Sequence, residues 1–450
     1  MSNGAIREAK ILTEGSIPKH LFKLALPILG TSFVQMLYNF TDMAWLGRLN
    51  SEAIAAVGAA SVFMWLASSI SLINKVGSEV TVAHAIGKRD EGSGLHFANH
   101  NLHLSLIIGL LLGGIYLLFG SPLLNFYELE PHIHKGALNY LRITSLGLPF
   151  VFSCGALTGI YNAAGHSKIP FVISTIGLVL NMILDPLFIY VFSMGLEGAG
   201  VATIIAQGVV CLLFIIQIRY KDRLFGGVSF FSKLSWDTCY TIFKIGVPVA
   251  LFNSLFAFIN MYLGRLASLA GGHIGVLTLT TGGQLEAISW NTAQGFATAL
   301  STFISQNYGA KKISRLLDAY KFTLRMTVIF GLASTMLYVF GGEALFSIIV
   351  PDPIAFKAGG IYLKISGYSQ LFMILEITSQ GFFYGIRKTV PPAIISIGGN
   401  LLRIPACLIA LEYYPSVETI WWVISLSTIL KGTIAMIWYL RARKQILSEE

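Results

Sequence analysis

Twelve apolar segments follow one another along this chain of 450 residues. They lie at residues 20–46, 52–86, 97–120, 136–163, 169–193, 198–219, 240–267, 274–308, 319–341, 358–384, 391–412 and 417–440. A membrane-spanning helix needs about 20 predominantly apolar residues. Only 12% of the residues are charged, whereas soluble proteins carry about 25%. Because the ten-residue alternation of barrel strands is absent, the sequence predicts an all-α membrane protein with twelve transmembrane helices.

Lysine and arginine are unevenly distributed over the gaps between these segments. The odd-numbered gaps hold Arg48, Lys135, Arg265 and Lys357, while the even-numbered gaps and the two tails hold most of the others. Positively charged loops stay in the cytoplasm, so we expect a multi-pass protein of the plasma (inner) membrane with both termini cytoplasmic. The net charge of +9 then reflects this topology, and no nucleic-acid partner is expected.

Short motifs recur at a nearly constant spacing along the chain. Pro27 in the first half matches Pro248 in the second, and Gly87 matches Gly309. We call the distance along the chain from Gly87 to Gly309 the repeat spacing. Six spans is an even number, so both halves start on the same side and form a parallel repeat. The predicted domains are an amino-terminal lobe at 1–220 with helices 1–6, a cytoplasmic linker at 221–237 and a carboxy-terminal lobe at 238–450 with helices 7–12.

The fifth apolar segment contains an amide, a carboxylate and a proline. Asn181 and Asp185 are four residues apart and share one face of a helix. Pro186 has no N–H, so it leaves the carbonyl oxygen of Met182 without its usual partner. An acid at the bilayer centre costs about 2.5–3.5 kcal/mol and marks a functional site by default. The alternative is a polar pair that joins neighbouring helices.

Other acidic residues in apolar segments are candidates as well. Asp42 is near the end of the first segment and could instead sit at the membrane surface, whereas Glu286 and Glu376 lie in the second half. The counterparts of the polar pair at the repeat spacing are Arg403 and Cys407, so the second half does not repeat the first cation-binding pattern. Intramembrane acids favour a role in coupling or in substrate binding; the alternative is a structural pair between Arg403 and one acid.

Several motifs, in order along nearly the whole chain, resemble those of the multidrug and toxic compound extrusion (MATE) family. They are Gln-Met-Leu-Tyr-Asn-Phe-Thr-Asp at 35–42 with Gly-Arg at 47–48, Ala-Ala-Gly at 163–165 with a proline at 170, Asn-x-x-x-Asp-Pro at 181–186 and Gly-Ala-Gly-Val-Ala-Thr at 198–203. The family's cation site corresponds here to Asp42, Asn181, Asp185, Thr203 and the carbonyl of Ala199, with Tyr38 and Tyr140 as supporting hydroxyls.

This resemblance implies an antiporter that exports amphipathic, cationic organic compounds in exchange for inward sodium or protons. If sodium is the coupling ion, its ligands are Asp42, Asn181, Asp185 and Thr203. In the carboxy-terminal lobe, Glu286, Glu376 and Arg403 are candidates for coupling or for holding substrate. Small organic cations and membrane lipid are then the expected partners, and a monomer without a cofactor is the expected form.

Two carboxylates close together in a low dielectric cannot both stay charged without a cation. Sodium binding or protonation removes that penalty and allows the helices to close around the site. We expect closure to bend the first span near Pro27 or to shift its packing, and so to release the substrate outward.

A flippase and a membrane enzyme are the two alternatives to the antiporter. A flippase of lipid-linked oligosaccharides, from the same superfamily, needs several basic residues to hold a pyrophosphate, but the deep basic residues are chiefly Lys75 and Arg403. The pair Lys75 and Glu79, one helical turn apart, is expected to be neutralised locally. No phosphate loop, metalloprotease motif or nucleophile elbow is present, so neither an enzyme nor ATP-driven transport is expected.

Overall fold

The computed structural model describes residues 11–47, 51–125, 130–221, 233–350 and 352–448, and within these ranges every regular element is helical. The predicted all-α class is therefore confirmed. The helices of the first half are α1 (Ile17–Gly47), α2 (Ser51–Gly87), α3 (Glu91–Leu124), α4 (Pro131–Leu146), α5 (Leu148–Ala163), α6 (Lys168–Pro186) and α7 (Gly195–Ile216). The helices of the second half are α8 (Trp236–Gly309), α9 (Ile313–Ile349), α10 (Pro353–Gly385), α11 (Val390–Leu401), α12 (Arg403–Tyr413) and α13 (Val417–Ser448). Short π-helical turns at Leu187–Val191 and Gln217–Lys221 extend α6 and α7.

Two of the predicted spans each consist of two helices, and one helix contains two spans. The fourth span is α4 and α5, bent by 47° at Gly147, just before Pro149, which cannot continue the hydrogen-bond ladder. The eleventh span is α11 and α12, separated at Leu402. Conversely, α8 holds the seventh and eighth spans, which meet at Gly272, where φ is 58° and ψ is −148°. Only glycine adopts such a backbone conformation readily.

Not every predicted span is strongly apolar. In the described part of the chain, nine helices are long and apolar enough to cross a membrane, or ten if α4 and α5 form one span. α8 counts once among these, and α10 is not included. α10 packs against α9 and α13 and buries polar side chains such as Ser366, Gln370 and Thr378. Polar side chains are tolerated in a span that neighbouring helices cover.

The two halves repeat each other in their connections. The turn after α2 places Arg89 at a φ of 59°, and the turn after α8 places its counterpart at the repeat spacing, Lys311, at a φ of 56°. In both turns the next N–H donates to the carbonyl five residues earlier, at 3.0 Å and 2.8 Å. Left-handed backbone is uncommon for residues other than glycine. Its recurrence at the repeat spacing supports the predicted duplication.

The same spacing appears in buried hydrogen bonds between helices. The hydroxyl of Tyr116 in α3 donates to the carbonyl of Phe63 in α2 at 2.8 Å. The hydroxyl of Tyr338 in α9 donates to the carbonyl of Leu285 in α8 at 2.9 Å. Tyr338 and Leu285 are the counterparts, at the repeat spacing, of Tyr116 and Phe63. Helix packing, and not sequence motifs alone, is therefore duplicated.

The chain forms two compact units, each with its own apolar core. The first unit comprises Leu26–Ala250 and the second Leu251 onward, and the start of α1, Ser16–Ala25, belongs to the second unit. Core clusters of the first unit join α2, α3, α5 and α7, and those of the second join α8, α9, α10 and α13. Most of the predicted linker, residues 222–232, lies outside the described ranges, so the domain limits at 220 and 238 stay a prediction.

Candidate functional site

The predicted polar pair of the fifth span lies at the carboxy-terminal end of α6. Asn181 and Asp185 are fully buried, and the amide nitrogen Nδ2 of Asn181 donates to Oδ1 of Asp185 at 3.0 Å. Their neighbours Met182 and Ile183, on the other face of the helix, are 45% and 60% exposed. α6 therefore turns its polar face inward and its apolar face outward, as expected for a helix in lipid.

Side chains of three other helices meet this pair. Asp42 of α1 interacts directly with Asp185, and Tyr140 of α4 interacts with both carboxyl groups. Tyr38 of α1 lies beside Thr203 of α7. The structure thus gathers the six side chains of the predicted cation site, from four helices of one compact unit.

The remaining predicted ligand is a main-chain carbonyl, that of Ala199. Ala199 is 1% exposed and precedes Thr203 by one turn of α7. A side chain on the preceding Gly198 would collide with the backbone of Phe188, at 2.7 Å from its carbonyl oxygen. The glycine therefore lets α7 approach the π-helical turn that follows α6, while the carbonyl of Ala199 as a ligand stays a prediction.

Several buried oxygens of this cluster have no hydrogen-bond partner within the described residues. They are Tyr38 Oη, Asp42 Oδ1, Asn181 Oδ1, Asp185 Oδ2 and Thr203 Oγ1. Buried polar groups are nearly always paired, so each unpaired oxygen calls for an explanation. Carboxylate, amide and hydroxyl oxygens are the ligands that hard cations prefer. The donor set therefore fits sodium, and the two carboxylates also fit a proton.

A second polar cluster occupies the carboxy-terminal half. Nζ of Lys431 in α13 lies 3.1 Å from Oε2 of Glu376 in α10, and both side chains are less than a tenth exposed. Oε1 of Glu376 accepts hydrogen bonds from Ser396 at 2.5 Å and from Gln380 at 3.4 Å. Every oxygen of this carboxylate is therefore partnered.

Arg403 does not hydrogen-bond to either intramembrane acid of this half. Its Nε donates to Ser427 at 2.7 Å and its Nη2 to Thr428 at 2.9 Å. Arg403 nevertheless lies within electrostatic range of Glu286 and Glu376. The hydrogen-bonded cation at Glu376 is Lys431, so the predicted alternative of a direct pair with Arg403 is replaced by a looser four-charge cluster.

Glu286 of α8 has a different environment. It lies beside the hydroxyls of Ser366 and Tyr362 in α10, and its Oε1 has no hydrogen-bond partner among the described residues. Gly282, one turn earlier, leaves room for the ring of Tyr362. Glu286 thus retains an open acceptor, in contrast to Glu376.

Sequence reasoning missed Lys431. A basic residue in the twelfth apolar segment, within Leu430-Lys431-Gly432, carries the same signal as an intramembrane acid, and it could have been found on that ground. Among the described residues, the buried lysine and arginine side chains are Arg403 and Lys431, while Lys75 is partly buried. Lys75 lies beside Glu79, the neighbour expected from their spacing.

Comparisons with known proteins agree with this architecture. The MatE family model matches residues 27–187 and 245–409. A probable multidrug resistance protein NorM of Thermotoga maritima is 26% identical over 411 residues, covering 88% of this chain and 86% of its own. The multidrug export protein MepA of Staphylococcus haemolyticus is 22% identical and covers 91% and 90%. A crystal structure of MATE in the straight conformation superposes with a TM-score of 0.92 at 21% identity, over 100% of both chains.

Proposed function

Since the chain belongs to the MatE family, we propose that it is a multidrug efflux antiporter that exports amphipathic, cationic organic compounds in exchange for inward sodium or protons. The relatives from Thermotoga maritima and Staphylococcus haemolyticus, named for multidrug resistance and export, support efflux. Each of these matches covers more than four fifths of both chains. The proposed function is therefore that of the whole chain and not of one lobe. We propose that it acts as a monomer and without ATP.

The observation that carries the coupling proposal is the set of unpaired oxygens around Asp42 and Asp185. Two adjacent carboxylates repel each other strongly in a low dielectric. One bound proton or one sodium ion relieves this repulsion, and sodium also completes the unpaired oxygens of Asn181, Tyr38 and Thr203. Ion binding and site closure are thereby linked, because only the neutralised site can be buried at low cost.

Pro27 is the proposed place for the accompanying bend in α1. The compact units divide α1 between Ala25 and Leu26, directly before this proline. They divide α8 between Ala250 and Leu251, shortly after Pro248. Proline inside a helix removes one hydrogen bond and weakens the ladder locally. A bend at Pro27 therefore breaks fewer intrahelical hydrogen bonds than a bend elsewhere in α1.

In the carboxy-terminal half, Glu286 is the proposed contact for a cationic substrate. Its Oε1 is free to accept, whereas both oxygens of Glu376 are engaged. Aromatic and hydroxyl groups surround Glu286, and such groups attract organic cations. A substrate cation that binds at Glu286 replaces solvent around a buried charge. Its electrostatic attraction to the carboxylate is therefore stronger than it would be in water.

The proposal is tested by efflux of a fluorescent organic cation from proteoliposomes. A sodium gradient and a pH gradient are applied in turn to the wild type, to Asp42→Asn and to Asp185→Asn. Asp318→Asn is the matched control, because Asp318 carries the same change on an exposed residue paired with Lys321. We expect one gradient to drive efflux in the wild type and the control, with at least a tenfold loss in both site variants.

Two results would contradict the proposal. Full gradient-driven efflux in Asp185→Asn would refute coupling at this site. No response of the wild type to either gradient would refute the antiporter and favour the flippase, which is then assayed with lipid-linked sugars. The ion whose gradient drives efflux is the coupling ion.

A further inference from the structure

Lys431 and Glu376 form a closed ion pair in the carboxy-terminal half. The ammonium lies 3.1 Å from Oε2, and Ser396 and Gln380 occupy Oε1. By contrast, Asp42 and Asp185 each keep an oxygen with no partner in the described chain. A carboxylate that already holds a buried ammonium has its charge compensated, so it attracts a mobile cation far less than an unpaired carboxylate does.

The aliphatic part of Lys431 is accommodated by a dedicated space. A Cβ added to Gly399 of α11 would lie 2.5 Å from Cδ of Lys431 and closer still to its Cγ. In the first half, the counterpart of Gly399 at the repeat spacing is Gly177, which provides the same space for Val210. At the repeat spacing Lys431 corresponds to Val209, the neighbour of Val210, so the glycine of this groove faces a valine in the first half and the stem of a lysine, one position out of register, in the second.

The acid is also peculiar to the second half. Glu376 stands where the first half has the neutral Cys154 at the repeat spacing. The two halves therefore differ at this place by one negative and one positive charge together. An unpaired charge is costly in a buried site within a span, and the two changes compensate each other.

We propose that Lys431 is a tethered cation that occupies the place of a mobile ion at Glu376, so that Glu376 is permanently neutralised and does not couple. This inference rests on the proposed antiport, in which it leaves Asp42 and Asp185 as the ion-coupling acids. Lys431 is a positioning residue, and its effect is to set how many ions are exchanged in each cycle.

The charged and titratable groups around Glu376 come from three helices. They are Lys431 of α13, Arg403 of α12 and Tyr384 of α10. With Glu286, the cluster holds two acids and two bases. When Lys431 is replaced by methionine, two acids face one base, and the cluster must take up one proton or one cation.

The first experiment uses infrared absorption of the purified full-length protein in sodium-free buffer at neutral pH. Lys431→Met is compared with Glu376→Gln/Lys431→Met, and the wild type with Glu376→Gln. We expect one additional protonated-carboxyl band in Lys431→Met that the double variant lacks, and we expect sodium to weaken it if sodium binds there. We expect the wild type to show an ionised carboxylate that Glu376→Gln removes. Lys431→Arg keeps the positive charge and is expected to match the wild type.

If Lys431→Met shows no new protonated-carboxyl band, Glu376 stays charged without a cation beside it, and that result overturns the proposal. So does a protonated Glu376 in the wild type. These spectra do not require transport, so they decide the question even if the protein proves not to be an antiporter.

The second experiment keeps the test decisive if Lys431→Met does not fold. Glu376→Gln/Lys431→Met carries no unpaired charge at this place and is expected to fold. In proteoliposomes we expect it to exchange the same number of ions per substrate as the wild type. Loss of ion-driven efflux in the folded double variant, while Asp318→Asn retains it, overturns the proposal and assigns coupling to Glu376.

Discussion

Gly381 of α10 sits where this helix meets the main chain of α8, and an alanine there is expected to destabilise the protein. A Cβ at Gly381 would lie 2.5 Å from the carbonyl oxygen of Ala297 and 2.9 Å from its Cα. Real Cβ atoms essentially never approach such neighbours within 3.0 Å, so the two helices must move apart to admit the methyl group. Backbone atoms cannot rotate away as a side chain can. Overpacking of this kind costs about 1–3 kcal/mol.

The matched control is Gly398→Ala in α11, where an added Cβ meets nothing within 4 Å. Alanine gains about 1 kcal/mol over glycine in either helix, so the difference between the two variants isolates the packing cost of about 1–3 kcal/mol. We expect Gly381→Ala to lose the chromatographic peak of its folded form at a lower temperature than wild type, and Gly398→Ala at an equal or higher one, in size-exclusion chromatography after heating in detergent.

The repeat supplies an independent check of the same reasoning in the other half. Gly159 of α5 is the counterpart of Gly381 at the repeat spacing, and it faces the carbonyl oxygen of Lys75 even more closely. Gly159→Ala is therefore expected to be the least stable variant, with Gly114→Ala, which meets nothing within 4 Å, as its control. Equal stability of Gly381→Ala and Gly398→Ala would show that the helices are not in the close contact described.

Two smaller effects are also expected. Tyr338→Phe removes two hydrogen bonds, one to a main-chain carbonyl of α8 and one to Ser289, while Tyr116→Phe removes one hydrogen bond, to a main-chain carbonyl of α2. At about 1 kcal/mol per bond, we expect Tyr338→Phe to lower the thermal stability more than Tyr116→Phe does. The reverse order would contradict this expectation. Asp90 caps α3 by accepting from the hydroxyl and the N–H of Ser93, and these bonds hold the pKa of its carboxyl below the usual range. Because the folded-state pKa is depressed, the stabilisation is present above the ordinary pKa of about 4 and is lost as the pH falls through the folded value. Asp90→Ala should therefore reduce thermal stability at neutral pH, by up to about 1 kcal/mol for a cap, and less in acid; an equal loss at both pH values would refute the role of the carboxylate.

The transmembrane architecture could be predicted because the bilayer imposes a simple length and polarity rule. Each predicted apolar segment corresponds to a helix, to part of a helix or to a bent pair of helices in the structure. The positions at which helices break within a span could not be predicted from the sequence. Gly147 and Gly272 interrupt their spans, while many other glycines lie inside regular helices. Whether a glycine breaks a helix depends on what packs beside it, which local sequence does not contain.

Part of the candidate site followed from spacing alone. Asn181 and Asp185 were predicted to share a face because four residues make about one turn, and their hydrogen bond confirms that they do. The approach of Asp42 and Tyr38 depends on how α1 packs against α6 and α7. The sequence marked Asp42 as an intramembrane acid, but it joined Asp42 and Tyr38 to Asp185 only through family resemblance, since no local rule relates residues that lie in the first and fifth spans.

The second polar cluster, around Glu376, separates most clearly what the sequence predicts from what helix packing decides. The sequence by itself places Glu376, Arg403 and Lys431 within spans, because each lies in an apolar run long enough to cross the bilayer, although only the structure drew attention to Lys431. Only the tertiary structure decided that Lys431, and not Arg403, takes the carboxylate of Glu376. The physical reason is geometric: a buried charge pairs with whichever opposite charge the helix packing brings within hydrogen-bonding distance, and Gly399 is what opens that path for Lys431.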